Sequence, residues 1–161
     1  MQKIDPFQIF DIIPSYMIDK HQLKHKYQQY QQKYHPDRCP TGDCNKIQKI
    51  NCAYNILQDD VQRATYLLKD IKYKKDSMEE LMQQLEFGEK KDSYISTKDV
   101  NALQKMQETI VNKLTRLGQD FQIAFEQRKL NEAQGLLGKM HFYDQQKQQI
   151  KEAIIQVQDL K

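Results

Sequence analysis

Apolar side chains recur every third or fourth position along most of the chain, with no sustained alternation. That period belongs to amphipathic helices rather than strands. Asp5-Pro6 predicts a cap followed by proline at the first helical position. The short helix it opens carries Phe7, Ile9 and Phe10, and Pro14 is expected to close it. In "DKHQ", Asp19 is expected to cap a second helix, with Gln22 reaching back. Leu23, Tyr27, Tyr30 and Tyr34 then share one face, and Pro36 disfavours helical geometry at His35. Beyond a loop of about eight residues, Ile47, Ile50, Tyr54 and Leu57 mark a third helix. "DDVQRATYLLKDI" predicts a shorter fourth, with Asp59 or Asp60 near its positive end.

The polar, basic stretch "KYKKDS" interrupts the pattern, and the expected domains are 1–72 and 73–161. Ser77 and Glu80 make another capping box, followed by Met78, Leu81, Met82 and Leu85 at helical spacing. Gly88 and "EKKD" are expected to end that helix. Ser96 to Asp99 start the longest expected helix, with Leu103, Ile110, Leu117 and Ala124 seven apart and Met106, Leu114 and Phe121 on the same face. Asn131 with Gln134 is expected to cap the last element, whose face holds Leu136, Leu137, Met140, Ile150, Ile154 and Val157. Every helix is one-sided and must pack on another. The expectation is an all-α chain: a helical hairpin unit, then an antiparallel three-helix bundle.

Composition narrows the class. Of 161 residues, 39% are hydrophobic, enough for a core, and 29% are charged, as in folded domains. A net charge of +3 does not by itself argue for nucleic acid. Three cysteines, an odd number, argue against a disulfide framework and fit a reducing compartment. No apolar run approaches a membrane span, and "MQKIDPFQIF" has neither a signal-peptide core nor an Arg-rich presequence. The abundant glutamine is scattered over helical patterns rather than gathered in a tract.

Chemistry concentrates at His35-Pro36-Asp37, where three readings compete: a plain helix stop, a metal site, or a contact surface. His35, Cys39, Cys44 and Cys52 lie close in sequence but lack the paired short chelating turns of structural zinc sites. Cys52, between Asn51 and Ala53, reads as a small buried thiol. His21 and His25 could chelate at i, i+4, but solvated surface is the plainer reading. Nothing supplies an oxyanion site for a Cys-His nucleophile, so a catalytic pair is expected even less than a metal site.

The motif sits directly after an amphipathic helix bearing Lys24, Lys26 and Lys33, and before a helix containing "INCAYNIL". This arrangement resembles the J-domain, through Tyr27, Tyr34, His35, Pro36, Asp37, Arg38, Asn51, Ala53, Tyr54 and Leu57. The resemblance implies a module that activates a DnaK-type heat-shock ATPase and carries out no chemistry itself, so no enzyme activity, metal or cofactor is expected. Its implied contact residues are His35, Pro36, Asp37, Lys24, Lys26, Tyr27 and Lys33, with Asp37 meeting a basic group and the lysines an acidic patch. J-domains often carry Lys or Arg just after the tyrosine, where this chain has Gln28 and Gln29, so weaker or more selective stimulation is expected.

"RATYLL", "MEELMQQLEF", "NEA" and "KMHFYD" occur in the order seen in the HscB (Jac-type) family, the J-proteins of iron–sulfur cluster assembly. That resemblance implies binding of an IscU-type scaffold through Leu81, Met82, Leu85, Glu86, Glu89 and Phe142. The plainer reading of the apolar members is bundle core. A Met- and Leu-rich stripe also suits an adaptable partner surface. The expected function is therefore co-chaperone: scaffold binding together with stimulation of a DnaK/HscA-type ATPase. An accessory structural subunit of a larger mitochondrial assembly is the alternative. A general client-binding J-protein is disfavoured, since there is no Gly/Phe-rich linker or zinc-finger cysteine set. The expected compartment is the mitochondrial matrix, on the glutamine bias, with bacterial cytoplasm as alternative.

Overall fold

The computed structural model describes residues 5–34, 44–69 and 78–159. Among the described residues it holds seven helices and no strand: α1 (Pro6–Ile9), α2 (Lys20–Lys33), α3 (Cys44–Gln58), α4 (Asp60–Leu67), α5 (Met78–Ser96), α6 (Val100–Glu126) and α7 (Leu130–Asp159). They divide between two compact units, Met1–Lys69 and Asp70–Lys161.

In the N-terminal unit the caps fall on the aspartates. Asp5 accepts from the Phe7 N–H at 3.0 Å, with Pro6 beginning the helix. Asp19 accepts from His21 and Gln22, and Asp59 from Gln62. The core is Phe7, Phe10, Leu23, Ile50, Ala53 and Leu57, with Tyr27, Tyr30, Tyr34, Tyr54 and Tyr66 packed around it. The tyrosines bury ring area, and the hydroxyls of two of them fasten helices together. Tyr30 donates to the Ile9 carbonyl at 3.1 Å, and Tyr27 to the Asn51 side chain at 3.2 Å.

Helix α1 ends at Ile9, well before Pro14. Asp11 adopts the left-handed conformation (φ 49°), its N–H bonds to the Gln8 carbonyl, and the Ile12 N–H reaches back to Phe7. That is a Schellman closure, with Ile12 packing on the same core as Phe7. Proline is not what stops this helix.

The C-terminal unit pairs α6 with α7, and α5 lies against both. Its core includes Phe87, Leu103, Ile110, Ile150, Ala153 and Val157, and Phe121, Ala124, Ala133, Leu137 and Met140 are also buried. Helix α5 runs through Gly88 to Ser96, where a stop was expected. Glycine inside a helix costs only about 0.5–1 kcal/mol relative to alanine. Burial of the adjacent Phe87, at roughly 1.5–3 kcal/mol, outweighs it. Both inter-helix turns repeat the Schellman pattern on non-glycine residues. At Lys98 (φ 53°) the Lys98 and Asp99 N–H groups bond to Ile95 and Tyr94; at Arg128 (φ 56°) the Arg128 and Lys129 N–H groups bond to Phe125 and Ala124.

Asp99 closes α5 and also caps α6, accepting from Ala102 at 2.9 Å. The Lys129 carbonyl receives the Ala133 N–H directly, so α7 begins at Leu130 and Asn131 lies inside its first turn rather than capping it. At 30 residues, α7 rather than the 27-residue α6 is the longest helix. Ser77, of the expected capping box, lies outside the described residues.

Candidate functional site

Residues of the N-terminal unit fall into scaffold and surface. His35, Pro36 and Asp37 lie outside the described residues, as does Cys39. Lys24 is exposed on α2, and Lys33 is exposed beside the Tyr34 ring. Lys26 is different. Its Nζ donates to the Phe10 carbonyl at 2.7 Å and the Asp11 carbonyl at 3.1 Å, so the ammonium expected to face a partner ties α2 to the end of α1. Cations favour such carbonyl-rich helix ends. Tyr27 is likewise committed inward: its ring stacks on Tyr54 at 3.9 Å and its hydroxyl meets Asn51. Asn51 also accepts from Gln31 at 2.6 Å, so one amide oxygen joins α2 to α3.

Near the end of α2, Lys46 from α3 lies 4.4 Å from the centre of the Tyr34 ring. Its hydrogen bond holds the Tyr34 phenol below the usual tyrosine range, with Lys33 adding to the effect. Cys52 is exposed, not buried, because Ile50, Ala53 and Leu57 set the inward face of α3 and position 52 falls opposite. His21 and His25 are exposed. Among the described residues no cluster of three His, Cys, Asp or Glu side chains could hold a metal ion, and no helix is long and apolar enough to cross a membrane.

A polar hub that sequence reasoning missed organises the other end of this unit. Arg63 is 2% exposed, and its guanidinium donates to the Tyr16 carbonyl at 2.6 Å, the Leu57 carbonyl at 2.5 Å and Asp60 at 2.5 Å. Lys20 pairs with the same Asp60 at 2.7 Å. Burial by itself would raise the Asp60 carboxyl, but hydrogen bonds from Lys20 and Arg63 prevail and hold it below its ordinary range. Tyr16, packed under the guanidinium at 5.0 Å, is pushed up to about 12, chiefly by burial and then by Asp60. The only signal in the sequence was an arginine inside "RATYLL", which nothing local marks as buried.

In the C-terminal unit α5 turns Phe87 inward and leaves Leu81, Met82 and Leu85 at 55%, 67% and 65% exposure. Glu86 and Glu89 are exposed on the same helix, with Glu86 paired to Lys90 at 2.6 Å. Continuation of α5 through Gly88 sets Glu89 one turn beyond Leu85 and Glu86. Three large apolar side chains clustered in water, rimmed by carboxylates, form a strip of the kind that partners cover. Phe142 does not join them. It is 6% exposed on α7, its ring edge-on to Tyr143 at 5.2 Å, and belongs to the core.

The DnaJ domain family matches residues 5–66, and the HSCB C-terminal oligomerisation domain family matches residues 76–151. The two stand in tandem over nearly the whole chain. The chain belongs to the HscB family of J-domain co-chaperones. Among HscB relatives, the co-chaperone protein HscB homolog of Paraburkholderia xenovorans is 34% identical over 111 residues, covering 60% of this chain and 63% of the relative. That of Pseudoalteromonas atlantica is 29% identical over 126 residues, covering 69% and 72%. The fold is that of HscB from Vibrio cholerae, with a TM-score of 0.81 at 22% identity, covering 95% of this chain and 99% of the other. Human co-chaperone protein HscB gives 0.78 at 25% identity, covering 94% and 82%.

Proposed function

We propose that this HscB-family chain couples an iron–sulfur scaffold of the IscU type to a DnaK/HscA-type heat-shock ATPase, with no bond made or broken by its own residues. The division of labour falls between 1–72, which meets the ATPase, and 73–161, which holds the scaffold. The observation that carries this reading is the exposed Leu81, Met82 and Leu85 strip on α5, in a chain whose N-terminal part matches the DnaJ domain family. Glu86 and Glu89 orient a basic partner surface beside it. On the other unit, His35, Pro36 and Asp37 with Lys24 and Lys33 meet the ATPase. Lys26 and Tyr27 support them by holding α2 in place rather than by direct contact. The relatives in Paraburkholderia and Pseudoalteromonas are bacterial, which supports the bacterial cytoplasm as the compartment; the mitochondrial matrix is the alternative.

Steady-state ATP hydrolysis by the heat-shock partner tests the first half, and a pull-down with the scaffold tests the second. Stimulation by this chain that rises further with scaffold, and that His35→Gln abolishes, is the expected result. Unchanged stimulation by His35→Gln would remove the J-domain role. A second reading, accessory subunit of a larger mitochondrial assembly, draws on the diversion of the Lys26 ammonium from the docking face. A stoichiometric partner other than scaffold or ATPase on co-purification would favour it.

A further inference from the structure

Helix α5 lies against α6 and α7 so as to leave a cleft of about 560 Å³ between α5 and α6, within the usual range for ligand sites. Phe87, Met106 and Ile110 form its floor, and the buried amide of Gln146 contributes from α7. Lysines stand at both ends: Lys90 and Lys105 towards one, Lys113 towards the other, where its ammonium lies 4.9 Å from the Tyr143 ring centre. Glu86 is the carboxylate of the lining, and Lys90 neutralises it at 2.6 Å. Lys105 and Lys113 remain exposed and make no ion pair among the described residues, so the cleft carries an excess of positive charge over an apolar floor.

We infer that this cleft binds an acidic peptide in extended conformation, with carboxylates at positions i and i+4 and an apolar side chain at i+2. The spacing comes from helix geometry. Lys105 and Lys113 are eight residues apart on α6, an axial separation of about 12 Å. A strand advances about 3.3 Å per residue and returns each second side chain to the same face. Carboxylates four residues apart therefore reach both lysines, while the residue midway between them faces Met106, Ile110 and Phe87. An α-helical ligand would need its acids eight residues apart and would present more width. Amide and hydroxyl groups of Gln83, Gln146 and Thr109 lie along the lining to meet peptide N–H and C=O groups. A fatty acyl chain would find no use for them. The cleft shares Glu86 with the rim of the exposed strip on α5 but none of the strip's apolar side chains, and the binding mode does not depend on the scaffold assignment.

The test uses the full chain and the fluorescein-labelled heptapeptide Gly-Glu-Ser-Leu-Ser-Glu-Gly. Analogues carry glutamine for both glutamates, or serine for leucine. Saturable anisotropy is expected, weakening with salt, with amide shifts centred on Met106 and Ile110. Each analogue should bind more weakly, and Lys105→Glu/Lys113→Glu should lose at least about tenfold in affinity with unchanged circular dichroism. Leu81→Ala/Leu85→Ala should bind as the parent does. Absence of saturable binding, indifference to the lysine reversals, or loss of binding in the α5 double variant would overturn the proposal. So would occupation of the cleft by dodecanoate in place of the peptide.

Discussion

The ammonium of Lys26 lies 2.7 Å from the carbonyl oxygen of Phe10, across the join between α1 and α2. A charged donor on two carbonyls is a structural bond, and it separates this lysine from Lys24 and Lys33 on the same helix. Lys26→Met should lower the stability of the N-terminal unit by about 1 kcal/mol, read by urea denaturation. Stimulation of the ATPase per folded molecule should be kept. Lys24→Glu and Lys33→Glu should show the converse: native stability, reduced stimulation. Loss of stimulation in Lys26→Met at unchanged stability would return that residue to the docking face.

Arg63 governs the other end of the unit. Removing its side chain takes a donor from the Tyr16 and Leu57 carbonyls and leaves the Asp60 carboxylate with Lys20 alone. Each buried carbonyl left without its donor costs about 1–3 kcal/mol, and the packing of a fully buried side chain is lost as well, so Arg63→Ala should unfold the unit or bring it close to unfolding, as circular dichroism would register. The pH dependence has two signs. The Asp60 carboxyl is held low, so its contribution is present above the unfolded-state value near 3.9 and is lost as pH falls through the depressed folded one. The Tyr16 phenol is raised to about 12, so its contribution is intact below the unfolded value of 10.0 and is lost as pH rises towards 12. Tyr16→Phe should therefore flatten the alkaline limb of the stability profile. An unchanged limb would refute this.

Lys98 and Arg128 hold the left-handed positions at the two turns of the C-terminal bundle. Glycine adopts that conformation without the steric penalty of a side chain. Lys98→Gly and Arg128→Gly should each raise stability by about 0.5–1 kcal/mol, as a shift in urea midpoint at constant slope. Destabilisation by both would mean that their side chains hold contacts that outweigh the backbone gain.

Leu85 and Phe142 make a discriminating pair. Leu85 is 65% exposed, and Leu81→Ala/Leu85→Ala should leave stability within about 0.5 kcal/mol while weakening scaffold binding in a pull-down. Phe142 is 6% exposed, and Phe142→Ala should cost about 3–5 kcal/mol, with any loss of scaffold binding following from unfolding. Gly88→Ala is the companion control. Apart from its chain neighbours and the helix's own backbone, no atom lies within 4 Å of where the new methyl would sit, so α5 should gain about 0.5–1 kcal/mol with scaffold binding retained.

Much of the architecture was open to sequence reasoning because it rests on local rules. Periodicity put Leu103, Ile110, Phe121 and Ala124 on one buried face, and the aspartate caps at positions 5, 19 and 99 act through bonds spanning two or three residues. The family resemblance was carried the same way, by short contiguous segments. The fate of single polar side chains was another matter. Lys24 and Lys26 are chemically identical and two residues apart. One faces solvent and the other holds α1 in place, because only the folded chain brings the Phe10 carbonyl within its reach.

The sequence by itself determined where helices form and which stripe of each is apolar, since both follow from a period of 3.6 residues and from caps within one turn. Tertiary structure decided which polar groups became internal fastenings, as Arg63 and Lys26 did, and which apolar groups stayed in water, as Leu81, Met82 and Leu85 did. It also decided that α5 would run past Gly88, because burial of Phe87 outweighs a helix penalty that looks decisive only locally. Partners distant in the chain meet only after packing, and no local period encodes that meeting.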